Sequence, residues 1–314
     1  MTGCMKTICL NELTAPLRQP AVATIGFFDG VHIGHRHLIR QVAEAAHDSA
    51  AQSMVITFDR HPREVLGGSQ SPFLLSSFEE KLRLLALTGV DIVVILPFSR
   101  ELAALSARDF MQQVLADRLC VSRLVIGHDN RFGHNRTEGF DDYAAYGRAI
   151  GMEVLRAEEL REDDRPVSSS VIRSLLEEGR VEAAARLLGR PYELSGQVIH
   201  GFEEGRKIGF PTANLRPCSP LLLVPGNGVY QVEARIDGSD EWLPAMTNIG
   251  MRPTFNGHEQ TIETHIFRFS RDLYDRALTL RFLRFLRGEQ RFNSPEALRR
   301  QLEKDKQLLD SLTS

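Results

Sequence analysis

Only four cysteines occur among 314 residues (Cys4, Cys9, Cys120 and Cys218), and none stand in a C-x-x-C pair or at a disulfide-like spacing. That scarcity excludes a disulfide framework and leads to the expectation of a reduced, cytoplasmic setting. No apolar run reaches the length of a membrane span, and the longest, around residues 91–98, has the length of a buried strand. The N-terminus shows no basic stretch leading into an apolar one, so no signal peptide is expected. Low-complexity segments and obvious repeats are absent. Neither sign of charge dominates: the formal net charge is −3, which offers no sequence-independent grip on nucleic acid. No nucleic-acid or membrane partner is therefore expected, and the chain is taken as a monomer or weak homo-oligomer. What is present is ordinary globular material, 42% hydrophobic and 25% charged, long enough for two domains.

The first half alternates strand and helix. Residues 21–28 (AVATIGFF), 54–58 (MVITF), 91–96 (DIVVIL), 124–128 (LVIGH) and 152–157 (MEVLRA) read as strands. Between them, 35–49, 79–89, 108–119 and about 140–150 read as helices, with Leu38, Ile39, Val42 and Ala46 on one face of the first. This order predicts a parallel sheet with helices on both faces, whose ligands bind beyond the carboxyl ends of the strands. After about residue 180 the texture changes. A short helix at 181–190 is followed by glycine- and proline-punctuated β segments at 194–201, 228–236, 242–250, 261–269 and 277–287, then by a helix over 295–311 capped by Ser294. An antiparallel barrel or sandwich is expected there. The domain boundary is placed near 184, giving domains 1–184 and 185–314.

GFFDGVHIGH (26–35) joins the first strand-like run to a helix start. Free N–H groups and the helix dipole make such a junction an anion site. His32 and His35 share a helical face, and Gly34 between them leaves room for a phosphate. Imidazoles placed there can donate hydrogen bonds to an α-phosphate as charge builds during in-line attack. Ordinary surface histidines, or a metal site with His37, are the competing readings. The strand–turn–helix context favours phosphate.

The form GFFDGVHIGH resembles the signature of nucleotidylyltransferases, and specifically the FMN adenylyltransferase module of the bacterial bifunctional riboflavin kinase/FAD synthetase family. TFDRHP (57–62) is similar to that family's T-F-x-P-H-P, with Arg60 as a departure. IGHDNRFG (126–133) is similar to its G-x-D-F-x-F-G, with Asn130 where an aromatic is usual, and VSSSVIR (167–173) to I-S-S-T-x-I-R. The resemblance implies that Gly26, Phe27, Asp29, Gly34, Ser169 and Ser170 bind nucleotide. It implies that Phe58, His61, Pro62 and Asp129 face the flavin, and that His32, His35 and Arg173 carry adenylyl transfer. Ser169 and Ser170 precede a predicted helix and could cap it, and Arg173 could hold the leaving pyrophosphate. No K-M-S-K-S-like loop follows, which argues against an aminoacyl-tRNA synthetase.

The second half resembles the riboflavin kinase domain of the same family. GRKIGFPTANL (205–215) contains its G-R-x-x-G-F-P-T-A-N core, and PGNGVY (225–230), NIGMRPTF (248–255) and ETHIF (263–267) follow in order. By resemblance, Gly205, Arg206, Lys207 and Gly209 wrap nucleotide phosphates, Thr212 and Asn214 meet Mg²⁺, and Glu263 is the base that deprotonates the ribityl 5′-hydroxyl. His265 is expected to pack beside it. Asp275 stands where the family has glycine. The arginines of RFLRFLRGEQR (281–291) could suggest RNA contact, but the family reading makes them barrel strand and edge. The implied fold is a Rossmann-like α/β nucleotidylyltransferase domain followed by a six-stranded antiparallel β-barrel. The implied substrates are riboflavin, FMN, FAD and ATP, with Mg²⁺ as cofactor. An enzyme with one live half, and a non-catalytic flavin-binding or RNA-interaction protein, are the alternatives.

Overall fold

The structure is a computed structural model describing residues 5–67, 73–127, 130–134, 137–162, 165–201, 209–254, 257–290 and 292–312. Packing divides the chain into two compact units, Met1–Pro72 with Phe78–Ser168, and Phe73–Ser77 with Ser169–Ser314.

The first unit is a parallel sheet. Its strands are β1 (Lys6–Cys9), β2 (Ala21–Ile25), β3 (Gln52–Phe58), β4 (Ile92–Leu96), β5 (Val121–Ile126) and β6 (Glu153–Arg156), in the order β1-β4-β3-β2-β5-β6. Every residue of β2 is buried, as befits a central strand covered on both faces. The connecting helices are α1 (Ile33–Asp48), α2 (Pro62–Leu66), α3 (Phe78–Ala86), α4 (Arg100–Ala104), α5 (Ala107–Asp109) and α6 (Phe140–Ile150). α1 buries Ile39, Val42 and Ala46, while Leu38 is only partly buried. From β2 the chain winds outward to β3 and β4, then crosses to the other side of β2 to make β5. The carboxyl ends of β2 and β5 therefore flank the topological switch point, where open α/β sheets bind ligands.

Three local readings needed correction. The strand expected over 21–28 stops at Ile25, because Phe28 turns into the left-handed region at φ 55°. The helix expected from residue 35 starts at Ile33. The helix expected over 108–119 begins as α5 and continues as a π-helix over Phe110–Ala116, which buries Phe110, Met111, Val114 and Leu115. β1 was not anticipated, since four residues carry too little periodicity to be read as a strand.

The second unit is a closed antiparallel barrel of β9 (Tyr192–Ile199), β10 (Ala213–Pro217), β11 (Gly228–Ile236), β12 (Leu243–Thr254), β13 (Gly257–Ile266) and β14 (Ala277–Arg287), as the resemblance implied. The short pair β7 (Arg161–Glu162) and β8 (Arg165–Pro166) precedes it in the chain and belongs to the first unit. Barrel residues such as Tyr192, Tyr230 and Phe282 share one core with Ile172 and Leu176 of α7 (Ser169–Glu177) and with Val181, Ala184 and Leu188 of α8 (Val181–Leu188). The boundary expected near 184 thus falls inside α8, and the compact units part before α7. At the closing seam a Cβ on Gly196 would collide with the Arg216 carbonyl, so only glycine lets β9 and β10 approach there. The terminal helix α9 (Pro295–Leu312) is anchored by an ion pair from Arg287 Nη2 to the buried Asp305 at 2.8 Å. Arg281 engages Glu193 at 3.0 Å and lies over the Trp242 ring. Arg281 and Arg287 thus have structural partners within the barrel unit. Asp275, standing for the family's glycine, takes φ 61°, a left-handed position that an aspartate tolerates better than most residues.

Candidate active sites

At the end of β2 the backbone makes a tight, strained turn. Phe28 and Val31 have positive φ (55° and 40°), as does Gly30 (72°), and a β-branched residue there is an outlier. The turn delivers His32 as the N-cap of α1, where its Nδ1 accepts the His35 amide at 3.2 Å. A neutral His32 accordingly carries its proton on Nε2 and presents a donor. The two imidazoles stack, with ring centroids 3.6 Å apart. A Cβ on Gly34 would sit 3.2 Å from the His32 ring and from the Val167 carbonyl, so this glycine makes space for the imidazole as well as for any ligand. The His35 Nδ1 is shielded from solvent without a hydrogen-bond partner. Burial, and then the charges on His32 and Lys81, hold the His35 imidazole well below its ordinary range, so it is neutral at physiological pH.

Behind this turn stands a residue that sequence reasoning missed. Lys81 of α3 is buried, and its Nζ donates to the carbonyls of Phe27 (3.3 Å) and Phe58 (2.8 Å) while lying 4.2 Å from the centroid of the Phe27 ring. Burial lowers it to about 8, against the opposing pull of Asp29 and Asp59. A signal was available: Phe78, Lys81 and Leu85 lie on one helical face, so the lysine interrupts an apolar stripe. On the expected flavin side, His61 caps α2 by accepting the Arg63 amide, and Pro62 is the first residue of that helix. The His61 ring meets Phe27 edge-on at 4.8 Å, and the Phe58 ring meets Phe98. Asn130, the departure from the family pattern, donates its amide to the Ile25 carbonyl and ties the segment after β5 to the end of β2. Asp29 is buried in the same turn, and the Gly26 amide continues the ladder to Ile56 at 3.0 Å. The structure therefore brings Gly26, Phe27, Asp29, His32, Gly34, His35, Phe58, His61 and Pro62 to one end of one sheet.

Other expected residues stand elsewhere. Asp129, Gly205, Arg206 and Lys207 lie outside the described residues. Ser169 and Ser170 are the first two residues of α7 rather than a cap before it, and Arg173 donates to the Ser170 hydroxyl at 3.2 Å. All three belong to the second compact unit, whereas His32 and His35 belong to the first.

In the barrel, Asn214 of β10 and Asn248 of β12 both pair in register with Glu263 of β13. Directly opposed residues project to the same face, so this rung sets a carboxylate between two amides. The burial alternation of β13, with Ile262, Thr264 and Ile266 inward, puts Glu263 on the outer face. Arg252, on the same face of β12 as Asn248, donates to a Glu263 oxygen at 2.9 Å. Neither Asn248 nor Arg252 was singled out from sequence, although their even spacing within NIGMRPTF places them on one side of a strand. Gly201 leaves room for the Asn214 amide, and Gly209 has φ +82°. Thr212 lines a cavity of about 230 Å³ together with Val198, Thr264, Phe269 and Tyr274. His265 packs as expected: its Nδ1–H donates to the Pro211 carbonyl at 2.8 Å, between the Phe210 and Phe267 rings. Burial pulls its imidazole below the ordinary value.

Comparison with known proteins identifies the family of both halves. A family model described as FAD synthetase matches residues 15–171, and one described as riboflavin kinase matches residues 188–313. The chain is 37% identical over 299 residues to the bifunctional riboflavin kinase/FMN adenylyltransferase of Escherichia coli K12, covering 94% of each chain. It is 39% identical over 291 residues to the protein of the same name from Pseudomonas fluorescens, covering 92% of each. A solved structure described as a macrolide-efflux protein from Streptococcus pneumoniae matches with a TM-score of 0.86 and 30% identity, over 97% of this chain and 98% of that one. Among the described residues of this chain, no helix is long and apolar enough to cross a membrane.

Proposed function

The chain belongs to the family of bifunctional riboflavin kinase/FMN adenylyltransferases, and from that premise we propose which residues carry its two reactions. The C-terminal region is a riboflavin kinase, which transfers the γ-phosphate of ATP to riboflavin and yields FMN and ADP. The N-terminal region is an FMN adenylyltransferase, which joins AMP from ATP to the FMN phosphate and releases pyrophosphate. The kinase match begins at residue 188, close to the expected start at 185, and the proposed functional division stays there.

For the kinase, the carrying observation is the Asn214–Glu263–Asn248 rung. Glu263 takes the proton of the ribityl 5′-hydroxyl as that oxygen attacks the γ-phosphorus, and Arg252 fixes the carboxylate's orientation. Thr212 and Asn214 offer hard, neutral oxygens, and Asn214 shares its rung with a carboxylate. Such a set fits Mg²⁺ that arrives with the nucleotide phosphates, and the bound ion would offset phosphate charge. For adenylyl transfer the nucleophile is already an anionic FMN phosphate oxygen, so no base is needed. In this reading the His32 Nε2–H and the backbone amides at the start of α1 donate to the α-phosphate oxygens as the bond to pyrophosphate breaks. Ser169, Ser170 and Arg173 are assigned to the nucleotide phosphates by their motif. Gly205, Arg206, Lys207 and Gly209 are assigned in the same way to the kinase nucleotide, and Asp129 to the flavin.

The test follows flavins by chromatography during incubation with riboflavin, ATP and Mg²⁺: FMN forms first and FAD follows. Glu263→Gln lowers FMN formation by roughly 10²–10⁴-fold, the usual contribution of a general base, and leaves FAD formation from supplied FMN intact. Equal collapse of both reactions would refute the assignment of Glu263 to the kinase alone.

A further inference from the structure

We propose that Lys81 is a positioning residue for adenylyl transfer: by bonding the Phe27 and Phe58 carbonyls at once, it sets the distance between the nucleotide-side turn after β2 and the flavin-side end of β3. This inference rests on the N-terminal half being the adenylyltransferase.

Both carbonyls lie beyond the last paired residues of the β2–β3 ladder, Ile25 and Ile56. Phe27 follows the last residue of β2 by two positions, and Phe58 ends β3. The Phe27 carbonyl accepts both from Lys81 and from the Thr57 hydroxyl at 3.1 Å, so the two strand ends are joined by more than one donor. The rings beside these carbonyls bear on the site: the Phe27 ring meets His61, and the ring of its neighbour Phe28 meets His35 at 5.1 Å. A methionine would fill the same space on the apolar face of α3 without desolvating a charge. An ammonium there costs stability. What it supplies is directed bonding between the chain after β2 and the end of β3, beyond the last residues that those two strands pair with each other.

The position also carries an electrostatic consequence. The charged groups around Lys81 are Asp29 from the turn before α1 and Asp59 from the segment after β3, and the His35 imidazole of α1 feels its charge. Lys81 therefore helps keep His35 neutral. Its own proton is lost near pH 8, and the bond pair weakens with it.

The experiment compares wild type, Lys81→Met and Lys81→Arg in the full chain, measuring FAD formation from FMN across pH 5–10 and FMN formation from riboflavin alongside. For Lys81→Met the expected result is a fall of at least tenfold in kcat for FAD formation, with riboflavin phosphorylation unchanged. Its acid limb also moves to higher pH, because the charge that lowers the His35 pKa is gone. Lys81→Arg, which stays charged, loses the alkaline decline that wild type shows near pH 8. A lysine that only filled space would scale the rate without moving either limb. Wild-type kcat and unmoved limbs in Lys81→Met would overturn the inference. Should Lys81→Met not fold, an alkaline limb unchanged in Lys81→Arg overturns it equally. Wild type forming no FAD from FMN would instead bring down the adenylyltransferase reading, and this inference with it.

Discussion

Burial of its Nδ1, with the charges on His32 and Lys81, holds His35 neutral in the folded chain at pH values where an unfolded chain would protonate it. The folded pKa is depressed, so the unfolded state binds more protons below about 6.5. The stability associated with neutral His35 is complete above that value and is lost as pH falls below it. Thermal melting of the full chain between pH 7 and 5 should show this as a falling midpoint, and His35→Asn should flatten that fall. An equally steep decline in the variant would assign the acid sensitivity to other groups. The histidine pair was legible from its motif, whereas its protonation state was not. That depends first on burial, then on His32 and on Lys81, which arrives from a helix more than forty residues further along the chain, and sequence spacing carries no signal of such an approach.

The turn and helix start over residues 26–35 act as one element, and their strain has a purpose that the motif alone does not disclose. Left-handed conformations at Phe28 and Val31, each costing about 1–3 kcal/mol, swing the chain so that His32 caps α1 and its ring lies flat on His35. Gly34 is the residue that permits this stacking. A methyl group at that position meets the His32 ring and a backbone carbonyl at 3.2 Å, so one of them must give way. Gly34→Ala is expected to lower kcat for FAD formation by at least tenfold, at a stability cost of about 1 kcal/mol or less, since the helix itself gains from alanine. The measurement is a kinetic assay paired with denaturant unfolding; unchanged kcat would show that the stacked geometry is dispensable. The sequence placed the strand–turn–helix junction correctly but extended the strand to residue 28. Apolar runs continue through a turn as readily as along a strand, and only backbone dihedrals distinguish them.

At the scale of the whole molecule, each compact unit has a core of its own. Scanning calorimetry of the full chain should therefore show two transitions rather than one. Gly196→Ala tests their assignment. Its Cβ would collide with the Arg216 carbonyl at the barrel seam, so the barrel transition should drop by several degrees or vanish while the sheet transition holds. A single transition in wild type, or both moving together, would show that the two cores unfold as one. The alternation of strands and helices, the later run of short strands, and the ordered motifs were sufficient to give both architectures, because periodicity and turn residues act locally. The same reasoning put the domain boundary inside α8. Amphipathic helices advertise that one face is buried, without saying against which partner, and α7 and α8 bury theirs in the barrel core. The sequence by itself thus determined most of the element types, the family's motifs and their order along the chain. Tertiary structure alone decided which carboxylate shares a rung with which amides, which glycine makes way for which ring, and which buried lysine joins two strand ends. These are distances between residues far apart in the chain, and only packing sets them.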